Sequence, residues 1–505
     1  MQPILPSTTE WPLFDAAHTQ RIELRERAGL PPHTLMARAG DTVARLALAI
    51  APHAQRVWVA AGPGNNGGDG LEAAALLCKA GRHVAVSLLG DASALPSDAE
   101  EALARARAAG AQILEGLSAE PLGAHDIAID ALLGIGATRP AQGAVAAAIG
   151  RLNTLACPVL AVDLPSGLDA GTGQSIGQAC VNATHTLALL TLKPGLFTGA
   201  GRDHSGSVWF DPLGVDTSAD EPEAWLSASR PGRGAFRPRR HALHKGSFGD
   251  VAVVGGAHGM AGAALLAARA AHAAGAGRVF VELLDHTASA VMPVDPVRPE
   301  LMFRDDWTRH ATAALAQTTV VCGCGAGDGV RAPLPRLLSM AARLVLDADS
   351  LNALASDTAL QSLLRARALR QAGTVLTPHP LEAARLLGCS TAEVQANRLL
   401  AARTLVDRFQ SVVVLKGSGS IVAAPGRVAR INASGNASLA SAGTGDVLAG
   451  WIGGRWAPRS ADAAVAVAFD VTVQAVAEHG AAAHPHAHGP MRAGDLIEAL
   501  HRGLG

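Results

Sequence analysis

Residues 441–450, "SAGTGDVLAG", set three glycines and one carboxylate at the mouth of a segment that reads as a helix. A Gly-Thr-Gly run lets successive backbone N–H groups point into one concavity, and a helix N-terminus adds partial positive charge there. Such a place suits an anion. Asp446 beside a bound phosphate does nothing for affinity but can serve as a base; an Asp N-cap behind a glycine turn fits the same letters. The same half carries "CGCGAG" (322–327), "LDADSLNAL" (346–354), "LTPHPLEAARLL" (376–387) and "LKGSGS" (415–420). Lys416 with Gly417, Ser418, Gly419 and Ser420 can grip phosphate, yet the Lys precedes the glycines and this is no Walker A loop. Asp347 and Asp349 also fit strand-end caps, and His379 between two prolines fits a turn.

The first half has a second set. "GPGNNGGDG" (62–70) offers glycines for close backbone approach together with Asn65, Asn66 and Asp69. Asp130 precedes "GIGATRP", "DLPSGLDAGTG" supplies Asp163, Ser166 and Asp169, and "LKPG" supplies Lys193. Any one of these is a turn with Asx hydrogen bonds on its own. Four polar strand ends together point to a phosphate-bearing ligand, a dinucleotide among the candidates. The spacing is not G-x-G-x-x-G followed by an acidic residue, which disfavours a standard hydride-transfer domain.

The elements that must position these residues alternate. "RVWVAAG", "HVAVSLLG", "DIAIDALLG", "PVLAVDL" and "HTLALLTL" are near-continuous apolar strands, separated by helix-like stretches such as "LEAAALLCKAG". Strands apolar on both faces predict a parallel sheet covered on both sides, hence a doubly wound α/β core. The alternation breaks after about residue 213 and restarts at "GDVAVVGG". A chain of 505 residues exceeds one ordinary core. We expect a first domain over 1–213, a linker over 214–235 containing part of "RPGRGAFRPRR", and a second domain over 236–505. In the second, two short alternating runs around "PGR" predict a hairpin beyond the parallel strands.

Composition narrows the partners. With 42 Lys+Arg against 43 Asp+Glu the chain lacks the basic footprint of a nucleic-acid binder. Apolar runs are too short for a membrane span and no secretion signal is visible, which predicts a cytoplasmic protein acting on small molecules. The six Cys form no disulfide framework or paired zinc spacing, and Cys322-Gly-Cys324 reads as a small-residue turn. "HPHAHG" (484–489) reads as a solvated loop.

"LMARAG", "GPGNNGGDG", "DALLGIG", "VDLPSGLDAGTG" and "TLKPGL", spread over about residues 15–210, resemble the NAD(P)H-hydrate epimerase family, the YjeF N-terminal domain. That resemblance implies a Rossmann-like fold and interconversion of the R and S forms of NAD(P)H hydrate, the cofactor damaged by water addition at ring C6. It implies a substrate site at Asn65, Asn66, Gly67, Gly68 and Asp69 and at Gly134, Ile135, Gly136, Ala137, Thr138, Arg139 and Pro140. It further implies a potassium ion on Asn66, Asp130 and Ser166, with Asp163 as acid/base and Lys193 as its neighbour. "ARAG" stands where that family often has "ERAG".

Over about residues 235–500, "GTGD", "TPHP" and "KG" in combination resemble the ADP- or ATP-dependent NAD(P)H-hydrate dehydratase family. The resemblance implies a ribokinase-like fold and phosphorylation of the C6 hydroxyl followed by loss of phosphate, with Asp446 as base. Ala263, Gly327, His379 and Asp446 would meet the hydrate; Lys416, Gly417, Ser418, Gly419, Ser420 and Gly445 would hold the nucleotide, with magnesium on its phosphates. ADP is the nucleotide implied by relatives of this two-domain order, giving AMP and phosphate. The family's "GPGLG" is "GCGAG" here, and its "GNPGMATGGxGD" is "GNASLASAGTGD". The partners implied are NADHX, NADPHX and ADP, with a homo-oligomer left open. Two rivals remain at this point: a small-molecule kinase built on the second half, and a nucleotide- or RNA-associated scaffold built on the first.

Overall fold

The computed structural model of the protein describes all residues except 119, 229–239, 285–293, 460–463, 485–488 and 504–505. The chain divides into two compact units, Met1–Pro6 with Trp11–Leu226, and Ser7–Glu10 with Ser227–Gly505. Most of "RPGRGAFRPRR" and of the His cluster lies outside the described residues.

The first unit contains strands β1 (Gln2–Pro3), β2 (Trp11–Leu13), β3 (Arg56–Ala61), β4 (His83–Leu88), β5 (Gln112–Leu114), β6 (Ile127–Ala131), β7 (Val159–Val162), β8 (His185–Leu189), β9 (Ser207–Asp211) and β10 (Ala224–Leu226). Eight of them form one sheet in the order β1-β9-β8-β7-β6-β3-β4-β5, parallel apart from β1. The pattern of the strands explains the layering. Val57, Val59 and Ala61 pack with helices α1 (Ala16–Gly29), α2 (Thr34–Ile50) and α3 (Asn65–Lys79) on one face. Trp58 and Ala60 pack on the other, against α4 (Gly143–Leu152). The doubly wound expectation holds. Within the stretch read as linker, Ala224–Leu226 is a strand, paired antiparallel with Trp11–Leu13; its alternating Ala-Trp-Leu gives it two buried side chains to hold it there.

From β3 the order runs outward to β4 and β5, then returns to β6 on β3's other side. Connections from β3 and β6 therefore leave in opposite senses and open a crevice at the carboxyl ends of the strands. The two loops at that crevice are 62–64 and 132–142.

The second unit has β11 (Asp250–Gly255), β12 (Arg278–Leu283), β13 (Met302–Phe303), β14 (Thr319–Cys322), β15 (Arg343–Leu346), β16 (Thr374–Leu376), β17 (Val412–Leu415), β18 (Ser420–Ala424) and β19 (Arg427–Asn432). Their order is β13-β12-β11-β14-β15-β16-β17-β18-β19. The strands up to β17 pair in parallel, and β17-β18-β19 is an antiparallel extension turning at Pro425-Gly426, as the "PGR" runs predict. Helices α5 (Ala261–Ala273), α6 (Asp349–Ser356), α7 (Pro380–Leu387), α8 (Arg398–Phe409), α9 (Thr444–Trp456) and α10 (Val465–Ala481) cover this sheet. Small residues let α5 and α9 pack closely: a Cβ on Gly450 would lie 2.0 Å from the Ala267 carbonyl oxygen. Among the described residues no helix is long and apolar enough to cross a membrane, and all six cysteines are free.

Candidate active sites

In the first unit the crevice is a cavity of about 890 Å³. Asn65, Asn66 and Asp69 line it from the start of α3, Gly134 through Pro140 from the loop after β6, Asp163 from the end of β7, and Lys193 from the segment after β8. Most of the sequence-predicted residues thus meet at the cavity; Asp130 and Ser166 are buried and do not line it, and Gly67, Gly68 and Asp169 have other places. Gly67 and Gly68 do not line the cavity but seat α3: a Cβ on Gly67 would lie 1.9 Å from the Gly62 carbonyl oxygen, and one on Gly68 would meet Met36 at 2.5 Å. Asp169 is a turn-former, its Oδ1 accepting from the Gly171 and Thr172 amides and the Thr172 hydroxyl.

Asp163 has the left-handed φ of 67°, a conformation costly for a non-glycine residue and retained here at the cavity wall. Its Oδ1 accepts from Lys193 Nζ and from the Leu189 amide at 3.1 Å. Lys193 is fully buried, and its Nζ also donates to the carbonyls of Leu189 and Thr191, each at 2.9 Å. All three ammonium protons therefore have acceptors, and the desolvated charge is matched. Asp69 faces the same cavity, and burial, with Asp163 and Glu23 nearby, holds its carboxyl well above the usual range. Glu23, with Thr19 and Gln20, comes from α1. Sequence reasoning missed these three, because "AAHTQRIELRERAG" offers no glycine or strand end to mark them.

Beneath the loop after β6, Asp130 is completely buried. Its Oδ1 accepts from Ser166 Oγ at 2.6 Å and its Oδ2 from the Ser166 amide at 2.8 Å, while Ser166 Oγ accepts from the Leu133 amide at 2.9 Å. Burial nonetheless pushes the Asp130 carboxyl up to about 6. A Cβ on Gly134 would lie 3.3 Å from Asn66 Cβ, so Asn66 reaches the same loop, and its Nδ2 is buried without a hydrogen-bond partner. The Asp130 carboxylate and Ser166 hydroxyl are hard oxygen donors held together, and Asn66 stands at the same loop with an amide oxygen of the same class, a donor chemistry that fits a hard cation.

In the second unit Asp347, His379 and Lys416 follow the carboxyl ends of β15, β16 and β17, while Ala263 and Asp446 come from α5 and α9. Gly443, with φ 88°, caps α9, so Gly445 and Asp446 stand in its first turn. A Cβ on Gly445 would be 3.4 Å from Lys416 Nζ, which brings the two predicted nucleotide segments together. Lys416 Nζ donates to Asp347 Oδ1 at 2.8 Å. Burial works against this ammonium, but Asp347 and Glu382 outweigh it and hold its pKa above the ordinary value. The Cys324 Sγ and carboxylate oxygens of Asp347 and Asp446 lie within 4.8 Å of one another. Burial, reinforced by Asp347, pushes the Asp446 carboxyl up to about 6, while the Cys324 thiol and Lys416 pull it down. Cys324 is thus more than a turn residue: it sits beside the proposed base, with Gly323 (φ 117°) and Gly325 (φ 57°) making the bend that brings it there.

The remaining predicted residues surround this group. Ala263 touches the Gly325 bend, where a Cβ would approach it to 2.9 Å. The Gly327 amide donates to Asp349 Oδ2 at 2.8 Å. His379 is the N-cap of α7: its Nδ1 accepts from the Leu381 amide at 3.1 Å, and the Glu382 carboxylate accepts from the His379 amide at 2.8 Å, a reciprocal capping box. Burial pushes Glu382 up to about 7 and lowers the His379 pKa. His379 is both a turn-shaper, as the flanking prolines suggest, and a partly exposed imidazole at the strand end.

Comparison with known proteins agrees with this division. The family described as YjeF-related protein N-terminus matches residues 32–195, and the family described as NAD(P)H-hydrate dehydratase matches residues 251–502. The chain is 36% identical to the bifunctional NAD(P)H-hydrate repair enzyme of Escherichia coli (strain K12), covering 95% of this chain and 90% of that protein. It is 36% identical to the corresponding enzyme of Coxiella burnetii, covering 90% and 92%. A Bacillus subtilis ADP/ATP-dependent NAD(P)H-hydrate dehydratase, co-crystallised with ATP and Mg²⁺, is 29% identical over 54% of this chain and 94% of its own, with a TM-score of 0.45. With both family matches in register with the two units and near full-length likeness to the enzymes named, the chain belongs to the family of bifunctional NAD(P)H-hydrate repair enzymes.

Proposed function

We propose that the first unit, on the residues assigned above, interconverts the R and S epimers of NAD(P)H hydrate, and that the second, as a ribokinase-like domain, dehydrates the S epimer to NAD(P)H at the expense of ADP. The observation that carries the second assignment is Asp446 in the first turn of α9, beside Cys324 and Asp347, with Lys416 next to Gly445. A hydroxyl attacking a phosphoryl group must lose its proton as its oxygen bonds phosphorus. A carboxyl at about 6 is ionised at neutral pH yet basic enough to take that proton. The N-terminus of α9 and the Lys416 ammonium face the negative charge that develops on phosphate. AMP leaves as the O–P bond forms. Loss of phosphate from C6, with a proton from C5, then restores the ring double bond.

In the first unit the Asp163–Lys193 pair supplies a fixed acid/base group at the cavity wall. Potassium on Asn66, Asp130 and Ser166 would tie the 132–140 loop to α3, and magnesium would accompany the nucleotide phosphates. Potassium-specific heat stabilisation of the first unit tests the former. We place the enzyme in the cytoplasm.

The test is incubation of the purified chain with mixed R and S NADH hydrate, ADP and Mg²⁺, followed at the NADH absorbance band. Recovery of the whole pool is expected. Accumulation of a phosphorylated alcohol with no NADH recovered would replace this reading with the small-molecule kinase.

A further inference from the structure

The loop Lys416–Ser420 is built over a buried arginine. Arg398, the first residue of α8, is 1% exposed. Its Nη2 donates to the carbonyls of Leu415 (3.3 Å), Lys416 (3.2 Å) and Gly419 (3.5 Å), and its Nη1 to Gln395 Oε1 at 2.8 Å. Gly417 has φ 130°, and a Cβ there would lie 3.0 Å from Arg398 Nη1. The Ser420 hydroxyl donates to the Gly417 carbonyl at 3.1 Å, and the Lys416 amide to the Pro378 carbonyl at 2.9 Å. One guanidinium thus gathers two of the loop's carbonyls and that of Leu415, which leads into it, while Gly417 and Ser418 are exposed.

Carbonyl oxygens repel phosphate, so a phosphate loop must aim them elsewhere. Nη1, anchored on Gln395, fixes the plane of the guanidinium so that the two N–H groups of Nη2 are shared among the three carbonyls, whereas an ammonium on a flexible stem cannot hold the same geometry. Burial lowers the Arg398 pKa to about 10, which leaves the group charged at neutral pH and puts a cation behind the loop. Substituting Gly417 would press a methyl group on that guanidinium in a backbone conformation that L-residues avoid.

We propose that Arg398 is a positioning residue for the nucleotide: from beneath the loop it turns the carbonyls of Leu415, Lys416 and Gly419 away from the phosphates and backs the site with positive charge. This rests on the reading of Lys416–Ser420 as the nucleotide loop. It assigns Arg398 a role in nucleotide affinity and none in hydrate binding or in the proton transfer to Asp446.

The test is ADP titration by calorimetry on the full chain, with inorganic pyrophosphate as a second probe, beside steady-state kinetics and thermal melts. Arg398→Lys keeps the charge and loses the fork; it should weaken ADP binding about tenfold and leave the KM for the hydrate within about twofold. Gly417→Ala, which leaves Arg398 in place, should shift ADP affinity in the same direction, and the double variant should cost less than the sum. A lower melting temperature in Arg398→Lys with unchanged ADP affinity would overturn the proposal, as would equal losses toward ADP and the hydrate. Should Arg398→Lys fail to fold, Gly417→Ala decides alone: unchanged ADP affinity overturns the proposal. A wild-type chain that binds neither ADP nor pyrophosphate overturns it together with the nucleotide reading of the loop, a result distinct from loss in the variants only.

Discussion

Both units set a lysine and an aspartate at the carboxyl ends of parallel strands, yet they wire the pair differently. In the first, Lys193 is bonded directly to the proposed acid/base Asp163 and spends its other protons on two carbonyls. In the second, Lys416 is bonded to Asp347, and the proposed base Asp446 is left to burial, a neighbouring carboxylate and a thiol. Lys193 fixes one carboxylate in place in a cavity wall. In the proposed reading Lys416 is tied down by Asp347 with its charge toward the nucleotide phosphates, while Asp446 keeps the basicity that taking a proton from an alcohol requires.

The largest expected effects come from separating the two sites. Asp446→Asn should lower dehydration about a thousandfold, the scale of losing a general base, with epimerisation untouched. Asp163→Asn should stop epimerisation by a comparable factor and leave dehydration of the S epimer intact. Absorbance recovery from a mixed pool reads both: the first variant restores none of it, the second only the S fraction. If Asp163→Asn also slowed dehydration of pure S hydrate, the two sites would not act independently. Asn is the informative replacement at 163, because Ala would leave the buried Lys193 ammonium short of an acceptor and confound chemistry with stability.

A smaller effect sharpens the contrast through pH. A base at about 6 must be ionised to work. Dehydration at saturating nucleotide should therefore fall on the acid side, with kcat/KM for the hydrate about tenfold below its plateau one pH unit under the midpoint. Cys324→Ala removes the thiol that lowers the Asp446 pKa. The acid limb should move up by about half a pH unit, the size of one weak hydrogen bond, and Cys324→Ser should move it back. An acid limb indifferent to residue 324 would mean that the thiol does not act on the base.

How much of this was legible in the letters follows from what a site is made of. Strand-end residues were readable because parallel strands buried on both faces write continuous apolar runs, and whatever polar group follows such a run stands at the strands' carboxyl ends: Asp163, Asp347 and Lys416 do so, and Asp130 is the last polar residue within its strand. Glycine-rich turns marked the loops for the same reason. Arg398 and Glu23 were not legible, since each belongs to a helix with no glycine turn or strand end to mark it, and only the three-dimensional return of the chain brings Arg398 under its loop. Gly67 and Gly68 show the converse limit. Their motif names them as substrate contacts, but their lack of a side chain serves the close approach of α3 to Gly62 and Met36. Cys324 looked like a small residue in a turn because its neighbour Asp446 lies over a hundred positions away in sequence.

The smallest expected effect separates two roles of one side chain. His379 caps α7 through Nδ1 and is proposed to meet the hydrate. His379→Ala should lose both, lowering stability by about 1 kcal/mol for the cap and raising the KM for the hydrate a few-fold. Asn is among the strongest N-caps but is shorter and lacks the ring, so His379→Asn should recover the melting temperature and leave the KM raised. Recovery of both would reduce His379 to the turn-shaper that its flanking prolines suggest. A KM that stays high in a stably folded His379→Asn assigns the imidazole to the substrate, and makes the second unit's hydrate contact, like its base, a group placed by the N-terminus of a helix.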